Sequence, residues 1–228
     1  VCGRFSQHYT WQEIHDGFDL VRPAAPRNLE PRYNIAPTQT VDVVRAADSG
    51  NELVHMRWDL VPFFWKKPLK DKKFSTFNAR AETLATANSF RAAFRHRRCI
   101  VPVSGFYEWR RPKQKGQPPV YFSSADGTPL ALAGLWDQWV DPGSGDPLLS
   151  CTIVTTEPNA MVKPLHNRMP VILTRSEAET WMRTDPDHAA DLRALLRPCS
   201  PDLMSSRQVS AFVNSTRNEG PGCIAEAD

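Results

Sequence analysis

Long hydrophobic runs are missing from this 228-residue sequence. No stretch approaches the roughly 20 consecutive apolar residues of a membrane-spanning helix, which excludes that class. The first twenty positions carry Arg4, His8, Glu13, His15 and Asp16 where a secretory leader would be apolar. A cytoplasmic protein, nucleoid-associated if bacterial, is expected. Cysteine is scarce and scattered: Cys2, Cys99, Cys151, Cys199 and Cys223 are odd in number, with no Cys-x-x-Cys and no His pair at zinc-ligand spacing. Neither a disulfide framework nor a metal site is indicated, and no cofactor is expected. Internal repeats, βαβ alternation and extended heptads are also lacking, so the default expectation is a monomer.

What is present is an ordinary globular composition, 41% hydrophobic and 23% charged, with 20 prolines, well above the usual share of about 5%. Frequent proline means many turns and short elements, which disfavours a helical bundle. A chain of this length buries roughly 70% of its extended surface on folding, enough for a full core without staples. Thr10-x-x-Glu13 has the form of a capping box before Ile14 and Phe18, predicting a short helix over about 11–18. Further helices are expected over about 81–97, broken near Asn88-Ser89, from Ser176 with Glu179 completing a second capping box, and from Asp185-Pro186 to Pro198. Runs rich in β-branched and aromatic residues predict strands near 41–46, 53–58, 99–109, 119–123, 130–139, 150–155, 170–173 and 208–213. The expected fold is a single α+β domain over residues 1–228: a strongly bent, mainly antiparallel sheet or barrel with short helices at its margins.

The net charge of +3 conceals an asymmetry. Between Trp65 and Lys115 fourteen basic residues face three acids, a net +11, which leaves −8 for the rest of the chain. Phe63, Phe64, Trp65, Phe74, Phe77, Phe90, Phe94, Phe106, Tyr107 and Trp109 lie in or beside that segment. Phosphate attraction combined with aromatic platforms for unstacked bases suits single-stranded nucleic acid. A solvated basic face beside an ordinary aromatic core accounts for the same composition.

Cys2 carries a distinct chemistry if residue 1 is removed, because a free N-terminal cysteine is a 1,2-aminothiol. Its amine, with a reference pKa near 7.7–8.0, is partly neutral at pH 7, and its thiol, near 8.5, needs little help to ionise. The amine forms a Schiff base with an aldehyde, and the sulfur then closes a thiazolidine ring. The plain alternative is a small residue near a chain end. Four further segments narrow the choice: Arg32-Tyr33-Asn34-Ile35-Ala36-Pro37, Asn78-Ala79-Arg80-Ala81-Glu82, Gly105-Phe106-Tyr107-Glu108-Trp109 and His166-Asn167-Arg168-Met169-Pro170. With Cys2-Gly3-Arg4-Phe5 they resemble, in order and spacing, the SOS response-associated peptidase (SRAP) family, over nearly the whole chain from Cys2 to about Asn214.

The resemblance implies a protein that binds single-stranded DNA and its junctions with duplex and bonds covalently to abasic sites. It makes Cys2 the nucleophile, Asn78 a hydrogen-bonding and positioning group, Glu108 the acid/base that assists sugar opening, and His166 a second proton donor or acceptor. Arg4, Arg80 and Arg168 would grip phosphates, Pro37, Trp109 and Thr155 would line the DNA channel, and Phe64 and Trp65 correspond to an aromatic wedge. These roles make chemical sense: an abasic sugar is mostly a closed hemiacetal, so a proton must reach its ring oxygen before an aldehyde exists. Tyr107 and Trp109 flank Glu108, surroundings that favour a protonated carboxyl; a salt bridge to Arg110 or Arg111 is the ordinary alternative.

The sequence departs from the family pattern in three places. Residue 1 is Val where members begin Met-Cys, and a chain that keeps it has an amide at the Cys2 nitrogen and is not expected to form the thiazolidine. Asp59 follows Trp58 where glycine is usual, so the local loop is expected to differ. Phe64 stands where Trp is frequent, keeping an apolar wedge with less stacking area. Two other functions stay open on the sequence alone: a thiol peptidase or amidohydrolase using Cys2 and His166, in keeping with the family's name, and a binding module without chemistry.

Overall fold

The computed structural model describes residues 2–21, 29–110 and 117–227; the expectations about Val1, and the share of the basic segment carried by Arg111, Lys113 and Lys115, lie outside the described residues. The elements in chain order are β1 (Phe5–Gln7), α1 (Trp11–Gly17), β2 (Arg32–Ile35), β3 (Thr40–Ala47), β4 (Gly50–Trp58), β5 (Asn78–Arg80), α2 (Arg91–His96), β6 (Arg98–Val103), β7 (Gly105–Glu108), β8 (Val120–Ser124), β9 (Leu130–Val140), β10 (Pro147–Thr156), β11 (Met169–Pro170), β12 (Ile172–Leu173), α3 (Arg175–Arg183) and β13 (Met204–Gln208). Strand pairing closes on itself. β10 pairs with β4, β4 with β3, β3 with β6, β6 with β9, and β9 with β10 again, so the larger sheet forms a barrel. Only the β10 pairings with β4 and with β5 are parallel among these named strands.

Period-two alternation explains the closure, because each barrel strand offers apolar side chains to two different cores. Val41 and Val43, Met56 and Trp58, Cys99 and Val101, Leu130 and Leu132, Cys151 and Ile153 share one buried cluster. Their alternates Val44, Leu53, Ile100, Ala131, Ala133, Leu135 and Val154 share the other with Ile14 of α1, Phe94 of α2 and Trp181 of α3. The helices therefore cover the barrel's outer face. Trp181 is fully buried there, and its indole Nε1 donates to the carbonyls of Cys99 and Gly134 at 3.0 and 3.1 Å, satisfying a polar tip that burial would otherwise penalise.

A second sheet, ordered β13-β8-β7-β1-β2, lies against the barrel interior cluster through Phe5, Phe106 and Phe122. The rings of Phe106 and Phe122 stack at 5.2 Å, and Phe5 lies 4.6 Å from Trp58. β1 and β7 run antiparallel with Phe5 opposite Phe106 and Ser6 opposite Gly105. This register brings the chain start beside the end of β7.

The mainly antiparallel barrel with marginal helices agrees with the expected fold class, and local differences have local causes. α3 is capped by Thr174 and Glu177, not by Ser176 and Glu179: two capping boxes overlap in the sequence, and the earlier one directly follows β12. The expected helix over 81–97 is reduced to a 3₁₀ turn at Ala81–Thr83 and to α2. The segment from Asp185 folds as 3₁₀ turns over Pro186–Leu195. The expected strand 99–109 is two strands, broken at Ser104. The strand expected at 208–213 is an error of placement: β13 ends at Gln208, and the Ser210 hydroxyl accepts from Phe212 N, drawing Ala211–Asn214 into a 3₁₀ turn. β1, β2 and β5 are too short to leave a periodic signal.

Gly105 is required where β7 meets β8. A Cβ there would stand 2.3 Å from the Tyr121 ring and 2.5 Å from the Phe122 carbonyl oxygen, which cannot move without breaking the sheet. Gly105→Ala is expected to cost about 2 kcal/mol or more, read as a lower midpoint in urea unfolding; an unchanged midpoint would contradict this packing.

Candidate functional site

Cys2 is fully buried in the barrel-interior cluster, just ahead of β1. Its backbone nitrogen donates to Glu108 Oε1 at 2.6 Å, and Glu108, at the end of β7, is itself 4% exposed. Tyr107 N donates to Arg4 O at 3.0 Å, continuing the β1–β7 ladder toward that pair. Cys2 adopts φ 36°, a left-handed conformation unusual for a residue with a side chain and costing about 1 kcal/mol. The strain turns the chain out of the strand where its nitrogen meets the carboxyl. In the 228-residue chain that nitrogen is an amide; removal of residue 1 would put an amine in its place. Glu108 is thus bonded across the sheet to the chain start; of the two arginines offered as its ordinary partners, Arg111 lies outside the described residues.

The thiol behaves differently from the expectation of easy ionisation. Burial, and then the nearby negative charge of Glu108, push the Cys2 thiol far above its ordinary value. A neutral thiol is the resting form, because a buried thiolate beside a carboxylate would be both desolvated and repelled.

The other motif residues arrive on neighbouring elements. Asn78 and Arg80 occupy β5, paired in parallel with β10 so that Asn78 lies opposite Ile153 and Arg80 opposite Thr155. Phe77, next to Asn78, Leu165, next to His166, and Val162, whose carbonyl accepts the His166 backbone N–H at 3.0 Å, pack into the same cluster as Cys2. His166 is buried, and its Nδ1 accepts the backbone N–H of Arg168 at 3.1 Å. An open cavity of about 630 Å³ is lined by Pro158, Lys163, Pro164, Leu165, His166 and Asn167. Thr155 is buried and donates to the Ala79 carbonyl, while Arg168 donates to the Thr155 carbonyl at 2.6 Å and makes a two-pronged ion pair with Glu82. Arg80 is exposed.

Arg4 and Trp109 form one unit. Arg4 stands 5.5 Å above the indole, and its Nη1 donates to Asn34 and to the Val213 carbonyl. The Trp109 Nε1 donates to Asn214 at 2.6 Å. Asn34 in turn donates to the carbonyls of Ser215 and Asn218, so the chain after β13 braces both side chains. Pro37 is half-buried in the turn between β2 and β3.

The segment after β4 carries the aromatics. Phe63 and Phe64 are exposed and meet edge to face at 5.5 Å; Trp65 packs on Phe74, and its carbonyl accepts the Trp139 indole N–H at 2.6 Å. Asp59, the departure from the family pattern, anchors this segment: it accepts from Lys72 Nζ at 2.8 Å, Thr76 N at 2.8 Å and Thr76 Oγ1 at 3.0 Å. Its backbone is outside the left-handed region, so it needs no glycine freedom. Lys72 is therefore a structural cation. So are Arg98, whose guanidinium donates to four backbone carbonyls, and Arg97, which pairs with buried Asp137. Among the described residues Lys66, Lys67, Lys70, Lys73, Arg80, Arg91, Arg95 and Arg110 remain exposed, Arg95 beside an exposed Asp187. The +11 segment overstates the charge offered to a ligand.

Sequence reasoning missed Glu82, Asp59, Asn34 and Asn214 as organising residues. Glu82 and Asn34 stand inside motifs already quoted, but nothing in their spacing reveals which cation or carbonyl they meet. No group of three His, Cys, Asp or Glu side chains among the described residues could hold a metal ion, and no described helix is long and apolar enough to cross a membrane.

The fold is shared with solved structures. A protein from Bacteroides thetaiotaomicron superimposes with a TM-score of 0.85 at 26% identity over the whole of both chains, and one from Bordetella bronchiseptica with 0.78 at 26% identity over 92% of this chain and all of the other. The family model described as SOS response associated peptidase (SRAP) matches residues 1–216, and the chain belongs to that family. Among its relatives, the abasic site processing protein YoqW of Bacillus subtilis is 38% identical over 98% of this chain and 99% of its own length. The abasic site processing protein HMCES of Gallus gallus is 32% identical over 85% of this chain and 66% of its own.

Burial raises the thiols of Cys99, Cys151 and Cys223 as well as Cys2, and that of Cys199 to about 11. In the unfolded chain all five would ionise near 8.5. Their protonated state therefore supports the fold fully below pH about 8.5, and the support is lost as pH rises toward the folded values, by on the order of 1 kcal/mol per buried thiol per pH unit. Urea unfolding at pH 7.5 and 9.5 is expected to show a clear loss at the higher pH; equal stability would contradict the burial of these groups.

Proposed function

We propose that this protein binds single-stranded DNA and joins covalently to abasic sites through Cys2, shielding them from strand cleavage. The observation that carries the reading is the 2.6 Å bond between the Cys2 nitrogen and the buried Glu108 carboxyl, in a chain whose relatives are named for abasic site processing. A carboxyl in that position is within reach of the nitrogen that would attack and of the sugar it would attack.

Chemistry follows in an order that the buried thiol dictates. Removal of residue 1 exposes the α-amine. Glu108, with His166 as second proton carrier, moves a proton to the ring oxygen of the sugar while the anomeric hydroxyl loses one, and the aldehyde opens. The amine adds to C1′ and water leaves, giving a Schiff base. Its positive charge lies against Glu108 and offsets the repulsion that, after burial, keeps the thiol neutral. The sulfur then bonds to C1′, its proton passes to a neighbouring base, and the electron pair of the C=N bond returns to nitrogen, closing the thiazolidine. The net reaction is aldehyde plus aminothiol giving ring plus one water. Closure turns C1′ from an iminium carbon into a saturated one, so the C2′ proton is no longer acidified and elimination stops. Lyase activity belongs to the same pathway, as the outcome when C2′ loses its proton before sulfur closes.

Asn78 is proposed to position the reacting groups, and Arg4, Arg80, Pro37, Trp109 and Thr155 to line the DNA path. Phe64 and Trp65, on a segment that also exposes Lys66 and Lys67, fit a wedge against stacked bases with phosphates alongside. A thiol peptidase is less well supported, since it needs a ready thiolate and burial opposes one.

Incubation with an abasic single-stranded oligonucleotide, followed by denaturing electrophoresis, tests the reading. Wild type is expected to give a heat-resistant adduct and Cys2→Ala none; an adduct from Cys2→Ala would remove Cys2 as nucleophile. Glu108→Gln is expected to slow adduct formation by about 10²-fold while affinity for intact single strands stays within about twofold, because the exposed cations are untouched. Equal rates would take Glu108 out of the mechanism.

A further inference from the structure

We infer that Glu82 is a positioning residue for His166, acting through Arg168. The inference rests on the proton-carrying role proposed above for His166, and it adds a residue to that role. The Arg168 side chain is held from two directions. Glu82 Oε1 and Oε2 take its Nη1 and Nη2 at 2.5 and 2.9 Å, and the Thr155 carbonyl on β10 takes Nη2 at 2.6 Å. Glu82 sits in the 3₁₀ turn directly after β5, the strand that carries Asn78 and Arg80. With its side chain tied to β10 and to the turn after β5, Arg168 is held in place, and its backbone N–H donates to His166 Nδ1 at 3.1 Å.

That last bond has a chemical consequence. A nitrogen that accepts cannot carry the proton, so the neutral imidazole holds its proton on Nε2. Glu82 therefore selects, through the Arg168 side chain and backbone, which nitrogen of His166 carries the proton. The exposures of the pair suit this role, because Arg168 is 17% exposed and Glu82 55%, so the guanidinium is held while the carboxylate is solvated on its outer side. The Arg168 hydrogen bonds hold the Glu82 carboxyl below the usual carboxylate range, and it stays ionised at neutral pH. The two-pronged geometry suits arginine and would be lost with lysine. With the Thr155 bond it occupies three of the guanidinium N–H groups of Arg168 within the protein.

Two measurements separate this from a general structural effect. The first is ¹⁵N NMR of histidine-labelled protein without DNA. Wild type is expected to show His166 with Nε2 protonated and Nδ1 unprotonated, and Glu82→Ala to show both nitrogens shifted toward tautomer averaging, with the remaining histidines unchanged. The second is adduct formation over a range of abasic-oligonucleotide concentrations. Glu82→Ala is expected to lower the maximal rate about tenfold with half-saturation within about twofold, and Glu82→Gln, which keeps one oxygen acceptor, to recover part of the rate. A wild-type tautomer in Glu82→Ala would overturn the inference, as would an unchanged maximal rate. A change confined to half-saturation would also overturn it, assigning the ion pair to DNA binding. The NMR result stands apart from covalent chemistry: failure of wild type to form an adduct would defeat the proposed function, whereas an unmoved tautomer would defeat only the role of Glu82.

Discussion

The bond from the Cys2 nitrogen to Glu108 is the constraint on which the rest of the site depends. It exists because β1 and β7 pair in one register and because the chain turns through a left-handed residue just before β1. A shift of one residue would send Glu108 to the opposite face of its strand and break that bond. Packing makes the register unique: Phe5, Phe106 and Phe122 must enter the same cluster as Trp58, and Gly105 admits the Tyr121 ring where any side chain would collide. The aromatic core thus decides where the chemistry stands.

Charge is divided between two roles. Part of the basic segment braces the fold: Lys72 on Asp59, Arg97 on Asp137, Arg98 on carbonyls of the chain around α2 and α3. These cations are inside or half inside, where an unpaired charge would cost several kcal/mol, so their partners are as necessary as they are. Of the cations left exposed, Lys66, Lys67, Lys70 and Lys73 lie on the segment whose aromatic residues Phe63 and Phe64 face solvent. Because Asp59 and its hydrogen bonds to Lys72 and Thr76 anchor both ends of that segment, the aromatic tip is presented from a firm base.

Much of this was legible in the sequence, for reasons that differ by element. The barrel strands announce themselves because Val41, Val43 and their alternates on β3, β6, β9 and β10 each serve a core. The helix at Trp11–Gly17 is readable from Thr10 and Glu13 alone. The short strands β1, β2 and β5 are not, since three or four residues hold no period, yet Arg4 directly precedes β1 and Asn34 and Asn78 lie on the other two; the motifs showed what the periodicity could not. Chemistry of the N-terminal cysteine could be reasoned from residue types, but its resting state could not. A free thiol would ionise easily, and only the folded environment, buried and beside Glu108, reverses that. Likewise the sequence contains both Glu82 and Arg168, while their pairing across 86 positions belongs to the fold.

The central claim is that one residue supplies both the nitrogen and the sulfur bonded to the sugar. Peptide mass spectrometry of the adduct, after nuclease and protease digestion, tests it most directly. The account predicts a single modified peptide that begins at Cys2, with residue 1 absent, carrying the sugar with loss of one water and no alkylatable thiol. Attachment at a lysine, or a modified peptide that still begins with residue 1, would contradict it.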